Sequence, residues 1–203
     1  FYYKEKKMKK LLLLMTIISL PSYAEVSANV SFTSDYIWRG MTQSDGPAIQ
    51  GGFDYASEGG FYAGIWGSNV NFNDGAGSEL DYYFGYGFEM GGIGVDLGYV
   101  AFDYPKNETG LDFEEIVLGL SMGDLGLTFA MGQDGAPDYT EVSYGIGDFG
   151  VSYGQYDDYG DNLTMSYGFS CGTYDCGIGY SDFSDDGYGA DEDGIYFSVS
   201  ASL

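Results

Sequence analysis

The sequence predicts an all-β fold: a transmembrane antiparallel up-and-down β-barrel of about twelve strands, with short periplasmic turns and longer acidic external loops. Three observations lead there. Apolar residues recur at every second position in segment after segment, the connections between segments alternate in length, and the segments carry almost no Lys or Arg. Period two is the spacing of a strand with two unlike faces.

The chain opens with Met8-Lys9-Lys10, an apolar run from Leu11 to Leu20, and Pro21-Ser22-Tyr23-Ala24. A basic start, a short apolar core and small residues at the recognition positions read as a secretory signal peptide, with Met8 as the start, cleavage before Glu25 and residues 1–7 as an upstream extension. Strands follow at 25–34, 47–56, 61–70, 79–89, 93–102, 112–121, 125–131, 139–146, 149–155, 162–170, 176–181 and 194–203. In the fourth, Leu80, Tyr82, Phe84, Tyr86 and Phe88 share one face, and Asp81, Tyr83, Gly85, Gly87 and Glu89 the other. A soluble sandwich shows the same alternation but needs charged residues on its outer face. Here the polar face is made of small residues, and the segments have the length of tilted strands that cross a bilayer.

The connections at 57–60, 90–92, 122–124, 147–148 and 171–175 are tight, whereas those at 35–46, 71–78, 103–111, 132–138, 156–161 and 182–193 are longer and acidic. In a meander this strict alternation puts each set at its own end of a barrel. Tyr36, Trp38, Tyr55, Tyr104, Tyr139, Tyr153 and Tyr180 fall near strand ends and read as an aromatic girdle at the membrane interfaces.

Composition removes whole classes of function. There is no His, which excludes Ser-His-Asp and Cys-His catalysis and His-ligated zinc. The formal charge is −24, and removing residues 1–24, with five Lys against Glu5, takes it to −28 with Arg39 and Lys106 as the remaining cations. Such a chain has no basic footprint for nucleic acid. Cys171 and Cys176 lie five residues apart in an exported chain and read as a disulfide clipping a turn.

The stretch Ser34-Asp35-Tyr36-Ile37-Trp38-Arg39-Gly40-Met41-Thr42-Gln43-Ser44, then Pro47-Ala48 and Gln50-Gly51-Gly52-Phe53-Asp54-Tyr55, resembles the TorF family of porins, also called the Gcw_chp family of bacterial proteins of unknown function. The likeness continues through Gly60-Phe61-Tyr62-Ala63-Gly64-Ile65-Trp66-Gly67-Ser68-Asn69-Val70 and Glu79-Leu80-Asp81-Tyr82-Tyr83; beyond about residue 105 it rests on strand pattern and length. The resemblance implies an outer-membrane barrel of the porin type, with no established substrate and no catalytic residues to carry over.

Arg39 stands between Asp35 and Asp45 in the first long connection, where it reads either as a pore or rim charge or as a clamp on those two carboxylates. Asp81, Glu89, Asp96 and Glu141 fall on the polar faces, where they would give a lumen a negative potential that favours cations. The acidic run with Asp185, Asp186, Asp191 and Asp193 reads as a solvated loop face, with divalent-cation binding as the sharper reading and no defined ligand set.

The leading functional reading is an outer-membrane porin that passes ions or small solutes by passive diffusion with a preference for cations. The alternative is a non-conducting barrel, structural or surface-binding, whose acidic loops bind divalent cations or lipopolysaccharide. No enzyme activity and no cofactor are implied; the partners expected are outer-membrane lipid, lipopolysaccharide and small ions or solutes, and a homo-oligomer is left open.

Overall fold

Alternation of this kind gives strands with one apolar and one small, polar face, and such strands bury nothing until the sheet closes on itself. In the computed structural model, which describes residues 25–73, 75–106, 110–187 and 189–202, it does close. The strands are β1 (Glu25–Thr33), β2 (Ile37–Trp38), β3 (Met41–Thr42), β4 (Ala48–Ala56), β5 (Phe61–Ser68), β6 (Glu79–Met90), β7 (Ile93–Asp103), β8 (Phe113–Met122), β9 (Leu125–Gly132), β10 (Tyr139–Ile146), β11 (Phe149–Tyr156), β12 (Gly160–Cys171), β13 (Tyr174–Asp185) and β14 (Glu192–Ser202). All but β2 and β3 form a twelve-stranded antiparallel barrel, each strand paired with its neighbours in sequence. Closure comes through β1, which pairs β4 on one edge (Thr33↔Ala48) and β14 on the other (Thr33↔Ser198). No sheet edge is left to be satisfied by lipid.

Register fixes which face looks where. Phe53, Phe61, Phe84, Tyr86, Leu97 and Ile146 point outward and remain exposed, as members of an apolar band that runs round the barrel. Across the wall, Asp81 pairs with Phe102 and Trp66, and Gly98 with Gly85 and Val117, all facing inward. The predicted segments and the observed strands agree to within a few residues. The largest difference is at the end of β13, where Asp182 and its neighbours, pairing with β12, extend the ladder instead of forming loop.

Two expectations need correction. Residues 35–46 are not a free external loop: they fold back inside the barrel, where β2 and β3 make a two-stranded hairpin (Trp38↔Met41). Four of the seven expected girdle aromatics face inward: Tyr36, Tyr104 and Tyr139 are buried in clusters inside the barrel, and Trp38 packs against both clusters. Tyr55 and Tyr153 do point outward, with 39% and 46% of their surface exposed. The signal-peptide reading falls on residues 1–24, outside the described residues.

The interior is therefore uneven. At the long-connection end the hairpin and the wall build a packed core from Tyr36, Val70, Phe102, Tyr104, Tyr156 and Phe183, among others. Towards the short-turn end the inward positions carry residues such as Gly94, Ser121, Gly126, Ser143 and Ser198.

Candidate functional site in the barrel lumen

The hairpin is a local consequence of sequence. Arg39 and Gly40 both have positive φ, 46° and 93°, as a two-residue turn between paired strands requires. Gly takes that conformation freely; Arg does not, and holding it there costs on the order of 1 kcal/mol that surrounding contacts must offset. They are numerous. Asp35 Oδ1 accepts from Thr42 Oγ1 (2.7 Å) and Ser44 Oγ (3.1 Å), Tyr36 N donates to Ser44 Oγ (2.8 Å), and Thr42 N donates to Glu192 on β14 (2.8 Å). At the tip, a methyl group on Gly40 would lie 2.7 Å from Asn162 Cβ and 2.9 Å from Phe183 Cβ, so the turn abuts the wall formed by β12 and β13.

From this turn the Arg39 side chain reaches β8. Its two terminal nitrogens donate to the two oxygens of Glu115 at 2.6 and 2.8 Å, a fork-to-fork pair whose side chains are only 10% and 2% exposed. The guanidinium carbon lies 4.0 Å from the ring centre of Tyr139, 4.3 Å from that of Trp38 and 5.5 Å from that of Tyr156, whose hydroxyl also accepts from Arg39 at 3.4 Å. Burial works against the charge on Arg39, but Tyr156 and Glu115 raise its pKa by more, so it stays a cation. The partner is thus Glu115, and the clamp on Asp35 and Asp45 does not form: Asp35 is held by the hairpin's own donors, and the Asp45 backbone amide donates to Thr42 Oγ1.

Tyr36 anchors the root of the hairpin by donating to Glu79 Oε1 at 3.1 Å, beside Asp81. Burial first, then the Glu79 and Asp81 charges, push its phenol well above the ordinary range, which keeps it a hydrogen-bond donor.

Further along the lumen two tyrosines cross in opposite directions. Tyr62 on β5 lies over Gly85 and donates to Asp96 on β7 at 2.8 Å, while Tyr83 on β6 lies over Gly64 and donates to Asp54 on β4. A methyl group on either glycine would collide with the tyrosine ring above it. Tyr139 over Gly154 and Tyr196 over Gly179 repeat the arrangement. These four inward tyrosines therefore lie along the wall instead of across the bore.

Of the residues singled out in the sequence, Asp81, Asp96 and Glu141 occupy inward positions, with Glu141 accepting from Tyr139 at 3.0 Å, and Glu89 lies on the same face as Asp81 at the exposed short-turn rim. Asp54, Glu79 and Glu115 join them, as does Glu192 against the hairpin backbone, so that among the described residues inward carboxylates outnumber the one inward cation, Arg39. Glu115 had a readable signal: in Glu114-Glu115, alternation forces one of two adjacent acids inward. Cys171 and Cys176 are joined by a disulfide across the turn between β12 and β13. In the acidic run, Asp185 accepts from the Gly187 and Gly189 amides and Asp191 from the Asp185 amide. No group of three acidic, Cys or His side chains is placed to hold a metal among the described residues.

A closed antiparallel barrel with an apolar outer band, a polar inner wall and an inward-folded connection is the architecture of an outer-membrane barrel. The chain belongs to the Gcw_chp family, bacterial proteins of unknown function, whose profile matches residues 20–191. Among solved structures it is similar to the KdgM porin, with a TM-score of 0.55 and 9% identity over 87% of this chain and 97% of that one. It is also matched to OccK5 (OpdH) of Pseudomonas aeruginosa, with a TM-score of 0.40 and 16% identity over 85% of this chain and 62% of that one. No curated protein sequence matches.

Proposed function

We propose that this protein is an outer-membrane diffusion channel of the porin type, related to TorF, that passes small cations and cationic solutes. The carrying observation is the imbalance of lumenal charge: among the described residues, inward carboxylates that include Asp54, Asp81, Asp96 and Glu141 face one cation, and that cation is already neutralised by Glu115. A wall lined by one sign of charge concentrates counter-ions in a narrow, low-dielectric bore. The tyrosines lying over glycines leave that bore wider than their volume suggests. On this reading residues 1–24 are the removed leader, the mature chain starts at Glu25, the long connections face the cell exterior, and the hairpin with Arg39 forms the constriction. The fold and the KdgM likeness support outer-membrane placement.

The test is single-channel recording of the refolded mature chain across a planar bilayer under a salt gradient. Discrete steps with a reversal potential on the cation side are expected; a silent bilayer, with the barrel's folding verified by heat-shifted gel migration, overturns it. A second reading, a closed barrel acting through its surface, is favoured by the aromatic packing of the hairpin at the long-connection end, and predicts that silence.

A further inference from the structure

We propose that Glu115, Tyr139 and Tyr156, completed by Trp38, form a guanidinium-binding site that the chain fills with its own Arg39, and that solutes bearing a guanidinium group bind there by taking Arg39's place. It deepens the channel reading, on which it depends only for how a solute arrives.

The occupant and the site come from different parts of the fold. Glu115 belongs to β8, Tyr139 to β10 and Tyr156 to β11, so three of the four groups are fixed to the barrel wall and stay where they are if the hairpin moves. The rings are held independently of Arg39: the Tyr139 hydroxyl lies 3.0 Å from both Glu141 Oε2 and Asn162 Oδ1, sharing its one proton between them, and the ring packs on Tyr156 with ring centres 4.8 Å apart. Only Trp38 travels with Arg39. What the wall offers is a carboxylate able to take a two-toothed donor, set between aromatic faces, which is the recognition chemistry of a planar guanidinium.

The site is also reachable. Glu115, Tyr156 and Trp38 line a cavity of about 690 Å³ that opens among the long connections, with Phe113, Asp112 and Tyr159 around it. That is the size of a small-solute pocket.

Selectivity follows from what exchange would leave behind. Any solute that pushes Arg39 aside exposes Glu115 as a buried carboxylate with no counter-charge, which is strongly unfavourable. A guanidinium solute replaces both the lost fork and the lost stacking, so the exchange is like for like. An ammonium solute brings a compact, strongly hydrated point charge that does neither. Arg39, held at a φ of 46°, gains backbone freedom when it leaves.

The experiment uses the Arg39→Ala barrel, refolded in detergent and titrated with methylguanidinium and with methylammonium by calorimetry, and by Trp38 fluorescence in a Trp66→Phe background. Methylguanidinium is expected to bind roughly tenfold tighter than methylammonium, more weakly to the parent chain than to the variant, and not at all once Glu115→Gln is added. Equal affinity for the two cations, or binding that survives Glu115→Gln, overturns the proposal. Should Arg39→Ala fail to fold, Arg39→Lys keeps a charge beside Glu115, and methylguanidinium must raise its unfolding temperature more than methylammonium does; no difference overturns the proposal equally. A folded variant that binds methylguanidinium but carries no current sinks the channel and leaves the site standing. A conducting barrel indifferent to the two cations sinks the site and leaves the channel.

Discussion

Arg39 and Glu115, 76 residues apart in the chain, meet inside the barrel through two parallel hydrogen bonds of 2.6 and 2.8 Å, with Glu115 almost wholly shielded from solvent. The pair ties a hairpin on the first long connection to the eighth strand, and so to the far side of the lumen. It also takes the only inward cation among the described residues out of the field that a permeating ion would feel.

Breaking one side of such a pair strands the other. Arg39→Ala and Glu115→Gln should each destabilise the folded barrel by about 3–5 kcal/mol, because an uncompensated charge stays buried. Replacing both, Arg39→Met with Glu115→Leu, should recover most of that loss, since two apolar side chains of similar volume leave no charge to solvate. Urea unfolding followed by gel migration measures all three. A double variant no more stable than the singles would mean that the hairpin's position, and not the charge pair, sets stability.

Gly40→Ala tests the turn itself. The residue has a φ of 93° and its new methyl would press on Asn162 and Phe183, so the tip must retreat from the wall at a cost of about 1–3 kcal/mol. The expected outcome is a barrel that still shows heat-shifted migration but whose hairpin is less well seated, read as larger and noisier conductance steps. Unchanged conductance would place the constriction elsewhere.

How much of this was legible in the sequence depends on periodicity. The twelve barrel strands were, because each is long enough for alternation to declare itself and closure adds no new constraint on faces. Tyr139 was readable too, since it has the same parity as Glu141. Tyr36 and Trp38 were not: they lie off the barrel sheet, where no alternation assigns a side, and two-residue strands are too short to show a period. Arg39 stood out as the sequence's single arginine, but its partner could only come from the fold. Asp35 and Asp45 are neighbours in sequence, whereas Glu115 is a neighbour only across the closed lumen. The signal that was present, Arg39-Gly40 between Ile37-Trp38 and Met41-Thr42, is that of a two-residue hairpin turn.

The disulfide should matter little. Cys171–Cys176 closes a loop of six residues at a turn already held by the β12–β13 ladder. Loop-closure entropy for so short a ring gives about 2 kcal/mol at most. Cys171→Ser with Cys176→Ser is expected to fold, to lose no more than that in urea unfolding, and to conduct like the parent. A collapse in folding yield would give the bond a role in assembly.

The glycines under Tyr62 and Tyr83 carry the bore. In Gly64→Ala and Gly85→Ala the new methyl meets the ring that now lies flat above it, so the ring must swing away from the wall and into the lumen. Single-channel conductance should fall in both. Tyr62→Phe and Tyr83→Phe keep the ring in place and remove only the bond to Asp96 or Asp54, each a hydrogen bond to a charged group worth about 1.5–3 kcal/mol if fully buried and less here, where both tyrosines are only partly buried. They should leave conductance nearly unchanged. A fall in the Phe variants with none in the Ala variants would invert the assignment.

Selectivity separates lumenal from surface charge. Asp96→Asn with Glu141→Asn neutralises two inward carboxylates that do not pair with Arg39, and should move the reversal potential under a salt gradient towards zero. Asp186→Asn with Asp193→Asn removes the same number of charges from exposed positions, Asp186 just past β13 and Asp193 on the outer face of β14, where screening over about 8 Å at physiological salt weakens their field at the ion path. That variant should keep the parent's reversal potential. Raising the salt to about 1 M shortens screening to roughly 3 Å and should shrink the difference between the two variants. If the surface pair shifted selectivity and the lumenal pair did not, cation preference would arise at the mouth, from the acidic connections, and the wall carboxylates would serve the tyrosines alone.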